Sequence, residues 1–379
     1  MRIVAIVVLA ACTRPVAAPT SREASFDLHP AELSRRGAPD ALLIRLRADV
    51  FTYFRMLADP FERRTCAAFA EELSSLPFTA LEGDAHLEQF TVTATSYGFD
   101  DFDRGGFGPA VVDLVRYAAS IHLACKLIQF ECDADRTVEI FLDSYRRSLV
   151  ARPAPTEPSI AKRLRARAAR ARPEWLDWIQ QSLGPLDSNA EHVLRTRWAE
   201  YVQQVDADPE QMAIVALGTP RDGVGSSTVR RALVRLAGPT DSAADDLLVE
   251  VREGITSVER SCVFRGPPNE LVALFAMSLS RREMPPVHGF VLGGSVWLQS
   301  WEPSHVELSI GDLASATELE ELVIDAGNQL AHQSAWFPEL ERRAAQVAAL
   351  DKTRQRIATL ARDYARETRV AWTKFVTAR

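Results

Sequence analysis

Gly83-Asp84-Ala85-His86-Leu87-Glu88-Gln89-Phe90, followed twelve residues after Gln89 by Asp101-Phe102-Asp103, frames a run, Phe90-Thr91-Val92-Thr93-Ala94, that alternates like a short strand. Two acidic loops joined by a short strand pair can meet at one point. Phosphoryl transfer requires such a meeting: one carboxylate near the acceptor hydroxyl, another on the metal that neutralises the phosphates, with a side-chain amide able to add a ligand. Acidic residues at strand ends also cap and turn the chain, so spacing alone leaves both readings open.

Working outward, Gly105-Gly106-Phe107-Gly108-Pro109 breaks the chain before Asp113 to Phe130, where Leu114, Tyr117, Ala118, Ile121, Cys125 and Ile128 share one helical face. On the other side, Pro30 to Leu76 reads as a helical entry segment, with Leu42, Leu43, Leu46, Val50 and Phe54 at spacings of three and four. Ala151 to Pro158 is a proline-rich connection. The basic run Ala161 to Arg172 reads either as a solvated helix or as an anion-binding one, and Trp175 and Trp178 as packing residues. From Gln211 the character changes. Met212–Leu217, Arg230–Leu236, Leu247–Val251, Phe290–Leu292 and Ser295–Trp301 are short β-like runs, interrupted by one helix, Asn269 to Arg282. Ala316–Ala335 and Glu339–Ala378 return to helix.

The composition is that of a globular chain: 379 residues, 47% hydrophobic, 25% charged. With 44 Lys+Arg against 51 Asp+Glu, a net charge of −7 argues against a global attraction to nucleic acid or anionic membrane. Five cysteines are too few for a disulfide scaffold, none has zinc-site spacing, and the pairing of Cys66, Cys125, Cys132 and Cys262 is left open. His86 has no Cys or second His at ligand spacing, which points it toward orienting the Asp84 loop instead of zinc.

Arg2 and the apolar stretch Ile3 to Ala11 have the order of an export signal and fall short of the ~20 residues a spanning helix needs. Leu9-Ala10-Ala11-Cys12 resembles the bacterial lipobox, in which the cysteine is acylated. Residues 1–12 are thus expected as a lipoprotein signal and 13–29 as a tether, with Cys12 as the sole membrane attachment, on the periplasmic side of the cell envelope. A mis-assigned start, or a buried strand that happens to end in Cys, would leave the protein cytoplasmic.

Two further stretches can carry chemistry. Asp222-Gly223-Val224-Gly225-Ser226-Ser227 can bring backbone N–H groups close to an anion, or can make a hairpin turn. Leu247 to Arg252 places a cation among apolar strand residues. His332, with Asn328, is either polar lining of a cleft or a hydrogen-bonded helix residue.

Taken in order, these segments resemble the bacterial family called domain of unknown function 2252. Its GDAH-L-x-N-F, N-D-F-D-E and W-D-L-K-R-L-A-A-S stretches are similar to Gly83–Phe90, Asp100–Arg104 and Val112–Ser120 here. Its later segments look like Gly223–Ser226, Val249–Gly254 and Leu330–Gln333. The first block in turn resembles the catalytic and metal-binding loops of aminoglycoside and choline kinases. That likeness implies Asp84 as the catalytic carboxylate with His86 beside it. It also implies Asp101, Gln89 and Asp103 on Mg²⁺, and Asp113 bracing the loop from a helix start. Gly223, Val224, Gly225, Ser226 and Arg252 would hold the phosphates of ATP or another nucleotide. Because this phosphate-holding part follows the catalytic loop, the implied fold is α+β, protein-kinase-like, two-lobed and circularly permuted. A helical lobe (30–205) holds the acidic loops, a smaller antiparallel sheet lobe (206–305) the phosphate loop, and C-terminal helices (306–379) pack on the helical lobe.

The resemblance implies a phosphotransferase acting on a small molecule. Gln89 stands for the family's Asn, Arg252 for its Lys and Thr228 for the third loop glycine. These departures support the alternative of a non-catalytic, pseudokinase-like envelope lipoprotein that acts as a ligand-binding or interaction module. A labelled fatty acid fed to cells should be incorporated into the protein and lost in Cys12→Ser; equal labelling of the variant would remove the lipid anchor.

Overall fold

The computed structural model describes residues 25–151, 153–154, 156–167, 172–210, 212–220, 231–238, 240–253, 261–265, 288–290, 296–301, 306–334 and 340–378. The leader with Cys12, the loop Gly223–Ser226 and the expected helix 269–282 lie outside them. The chain is α+β. Helices α1 (Pro30–Arg35), α2 (Asp40–Ala48), α3 (Val50–Arg55) and α4 (Ala58–Ala68) replace the single entry pattern expected for Pro30–Leu76. Asp49 ends α2 and starts α3, its carboxylate accepting from the backbone N–H of Phe51 at 3.0 Å and Thr52 at 2.7 Å.

Strands β1 (Phe78–Leu81), β2 (Phe90–Val92), β3 (Tyr97–Phe99) and β4 (Gly106–Pro109) follow, then α5 (Val111–Ala124), α6 (Ala134–Ala151), α7 (Ser159–Arg165), α8 (Arg172–Ser182), β5 (Leu183–Gly184) and α9 (Ser188–Gln204). Next come β6 (Ile214–Pro220), β7 (Arg231–Leu236), β8 (Leu247–Glu253), β9 (His288–Phe290), β10 (Val296–Trp301) and β11 (Val306–Glu307), and helices α10 (Ala316–Ser334) and α11 (Leu340–Thr377) close the chain. The second-half strands thus fall within a few residues of the β-like runs. No helix among the described residues is long and apolar enough to cross a membrane.

Among the described residues, all strand pairings are antiparallel. A six-stranded sheet has the order β5-β6-β7-β8-β10-β9, β2 lies between β11 and β3, and β1 pairs with β4. Side-chain alternation buries both faces of the large sheet. Val234, Val249 and Leu298 pack with Leu194, Trp198 and Tyr201 of α9. Leu233 and Leu248 pack with Trp175, Leu176 and Ile179 of α8. The expected helical segment 30–205 therefore divides its helices between two cores, because α8 and α9 cover the sheet. The larger core runs from Phe26 to Phe375 and joins the entry helices, the acidic loops, α5, α6, α10 and α11.

Four cysteines form two disulfides, Cys66–Cys262 and Cys125–Cys132. Too sparse for a scaffold, they act as individual cross-links, the first spanning 196 residues. The basic run also resolves. Its helix stops at Arg165, and Arg163 binds Glu318 and the Asp312 carbonyl, Arg165 binds Glu157 and the Thr93 carbonyl, and Arg167 binds Asp312. These arginines join α7 to the start of α10, so the described part of the run, up to Arg167, is neither purely a solvated face nor an open anion site.

Where α10 crosses α6, Gly327 lets the backbones meet: a Cβ there would lie 2.6 Å from the Phe141 carbonyl oxygen and 2.9 Å from the Tyr145 nitrogen. Gly327→Ala would gain up to about 1 kcal/mol of helix propensity but must push the helices apart at a cost of about 1–3 kcal/mol. A lower melting temperature is expected, and an unchanged or raised one would show that this crossing yields freely.

Candidate functional site

The two acidic loops hang from the ends of the β1–β4 and β2–β3 ribbons and meet over the start of α5. After β1, the chain turns through Gly83 at φ +89°, a left-handed conformation that glycine adopts without steric cost. Space demands glycine as well, since a Cβ would lie 2.0 Å from the Arg104 carbonyl oxygen. Asp113, in the first turn of α5, accepts the backbone N–H groups of Glu82 at 2.8 Å and Gly83 at 2.9 Å. The expected brace from a helix start is therefore present. Glu82 in turn accepts the Asp84 N–H at 2.8 Å.

These contacts hold Asp84 partly exposed, its side chain 16% accessible, in an ion pair with Arg116. Arg116 is itself buried, its guanidinium 4.3 Å over the Phe54 ring and 5.1 Å from that of Phe61. Burial pushes the Asp84 carboxyl up to about 6; the positive charges of Arg116 and Arg55 oppose the rise, and the Asp101 carboxylate adds to it. Asp101 is thus an electrostatic neighbour of Asp84. It sits in the left-handed region at φ 66°, ψ 55°, one of few non-glycine residue types that tolerate it, and starts a short 3₁₀ turn, Phe102–Arg104.

Gln89 is buried, and its side-chain amide donates to the Asp101 carbonyl at 3.3 Å and hydrogen-bonds Glu82. It thus ties the two loops together. Asp100, beside Asp101, accepts from the Gln299 amide of β10 at 3.3 Å, so the six-stranded sheet reaches the acidic turn directly. His86 faces away from it. Its ring lies edge-on to Phe51 and Phe54, burial and the charges of Arg55 and Arg116 push its pKa down, and it is neutral. For Asp103, only the backbone is described.

Behind the loops lies a buried charged layer. Burial and the neighbouring carboxylates Asp113 and Asp84 push the Glu82 carboxyl well up; Asp113, also buried, rises to about 6, with two N–H groups and Arg265 favouring its charge. Arg104 pairs with Asp59, and Arg265 with Glu62.

The structure brings Asp84, Gln89, Asp101 and Asp113 together. Arg252 lies on β8, in register with Arg231 of β7 and Trp297 of β10. His332 is exposed on α10, and Asn328 is partly buried. The inward polar residues of that helix are Asp325, Gln329 and Gln333, with Gln329 accepting the Phe99 N–H at 3.1 Å. Sequence reasoning missed the roles of Glu82, Arg116, Glu62 and Arg265. Arg116 had a usable signal, since it follows Asp113 by one helical turn and must share its face.

Among the described residues, no group of three or more His, Cys, Asp or Glu side chains is arranged to hold a metal. What the loops offer is two partly exposed carboxylates and an amide. In a ¹³C-detected titration, Asp84 should show a midpoint near 6, protonated below and charged above. A midpoint near 4, the ordinary carboxylate range, would show that Arg116 outweighs burial.

No curated protein and no solved structure matches the chain. Residues 43–163 match a family model described as an uncharacterized protein conserved in bacteria, DUF2252. That span holds both acidic loops, Asp113 and Arg116, and ends before the six-stranded sheet. Over residues 43–163, about a third of its length, the chain is similar to the bacterial DUF2252 family.

Proposed function

We propose that the chain is a kinase-like protein that binds Mg²⁺ and ATP or another nucleotide at the Asp84/Asp101 loops and transfers phosphate to a small molecule. One observation carries the reading: two partly exposed carboxylates from separate loops, Asp84 and Asp101, electrostatically coupled, with the Asp84 loop held by a buried acid at a helix start. The oxygen donors of the loops, with the four cysteines of the described residues paired in disulfides and His86 turned into the core, suit a hard cation such as Mg²⁺. Asp101, helped by Gln89 and Asp103, would hold it. Bound there, Mg²⁺ would neutralise phosphate charge.

Asp84 would accept the proton of the acceptor hydroxyl, and a pKa near 6 matches a base working near neutrality. Arg116 fixes the carboxylate's orientation. The order of elements supports a phosphate-holding lobe: Gly223–Ser226 falls between β6 and β7, and Arg252 lies on the third strand of that meander, where kinases carry their phosphate-gripping Lys. Relative to a standard kinase this lobe follows the catalytic loop, the circular permutation inferred above.

A second reading is favoured by the cross-links and by Arg116. Two disulfides fit an oxidising compartment, as does the leader with Cys12. In the cell envelope ATP is scarce, and an Asp84 neutralised by Arg116 fits a binding module as well as an enzyme. Calorimetry with Mg²⁺–ATP on the full chain tests both. Binding should weaken at least about tenfold, 1.4 kcal/mol, in Asp101→Ala. Asp84→Asn should keep binding and lose turnover. No binding by the unaltered protein would end both kinase-like readings, and binding without turnover on a broad acceptor panel would select the second.

A further inference from the structure

The acidic loops are backed by a short segment from the distant sheet-rich half. Ser261–Arg265 follows β8 in the chain yet lies against α4, β4 and the turn after Asp101. Cys262 is joined to Cys66 of α4 across a Cα–Cα distance of 5.4 Å. Phe264 exchanges both backbone hydrogen bonds with Phe107, at 3.1 and 2.7 Å, and so extends the β1–β4 ribbon by one bridge. Val263 fills the space left by Gly106 and Gly108, where added Cβ atoms would approach its methyl groups to 2.7 and 3.2 Å.

Arg265 completes the segment. Its side chain is 0% exposed and forks onto Glu62, itself 1% exposed, through bonds of 2.9 and 2.6 Å. Its Nε donates at 2.8 Å to the Arg104 carbonyl, the same oxygen that sits against Gly83. Burying such a pair costs several kcal/mol in desolvation, and well-packed apolar residues would often stabilise a fold as well or better. What an apolar pair cannot supply is a directed donor on one carbonyl. A planar fork anchored by Glu62 holds that donor in place, and the carbonyl it fixes limits where Gly83, and hence Asp84, can lie.

We propose that Arg265 is a positioning residue of the Asp84/Asp101 site, carried to it by the Cys66–Cys262 cross-link. Through Arg265 the chain beyond β8 sets the geometry of loops that lie more than a hundred residues earlier. The role in ligand binding rests on the kinase-like reading; the role in ordering the loop does not.

The test uses the full chain, native-state amide exchange and calorimetry with Mg²⁺–ATP. In Arg265→Met, exchange at the Glu82 and Gly83 amides should quicken at least about tenfold, and the nucleotide should bind at least about tenfold more weakly. Arg265→Lys should recover part of both losses, because an ammonium keeps the charge and one donor but not the fork. Should Arg265→Met fail to fold, Glu62→Met/Arg265→Met decides: removing both charges should leave the melting temperature no lower than that of the unaltered protein while the two amides stay loosened. Unchanged exchange at Glu82 and Gly83 in a folded variant of either kind would overturn the proposal. Absence of nucleotide binding in the unaltered protein would strike the kinase-like reading alone, since the exchange result still decides what Arg265 does.

Discussion

A single buried carboxylate, that of Asp113, receives the N–H groups of Glu82 and Gly83, and the arrangement of the site follows from it. A carboxylate in a dry interior is costly unless its oxygens find donors. Here the donors are the backbone of the loop itself, so the cost of burying the charge and the ordering of the loop are one event. Its position in the first turn of α5 adds the favourable field of the helix start. With Gly83 fixed, Asp84 has little choice of place, and Arg116, one turn further along α5, meets it there.

The same economy explains the crowd of charges behind the loops. Glu62, Glu82, Asp113, Arg104, Arg116 and Arg265 form a buried layer of carboxylates and guanidiniums behind the loops, with Arg265 paired to Glu62 and Arg104 to Asp59. Remove any cation and a carboxylate is left in the interior without its partner charge. Remove any carboxylate and a guanidinium is left in a medium that resists it. Such a layer is stiff in composition even where its individual bonds are modest, and it gives Asp84 a basicity unlike that of a surface aspartate.

Local pattern made a good part of this legible. The alternation at Phe90–Ala94, the breakers before α5, and the strand runs after Gln211 each signal their element, because hydrophobic period and turn chemistry are written in neighbouring residues. Asp84, Gln89, Asp101 and Asp113 were legible as well, through the spacing of the loops and the family likeness. The partners that hold them were not. Arg265 is 203 residues from Glu62, and no periodicity links the two. The pairing of Cys66 with Cys262 needs the folded distance, and the arginines of α7 and just after it look like a solvated face until Glu318 of α10 and Asp312 of the turn before it arrive. The division of helices between two cores was hidden for the same reason, since an amphipathic helix shows that it has a buried face but not which surface covers it.

One core joins Phe26 to Phe375, and its seams are specific: Tyr53 packs edge-on to Phe375, and the Trp372 indole donates to the Leu46 carbonyl at 2.9 Å. During synthesis, the entry helices therefore emerge long before the helix that covers them. The parts of their apolar faces that α11 covers must wait through the whole six-stranded sheet until the last turns of α11 leave the ribosome. Contacts of such sequence separation slow folding and lengthen the exposure of apolar surface. A polypeptide with this topology keeps part of its core uncovered until synthesis is nearly done, and that part is what a chaperone would recognise.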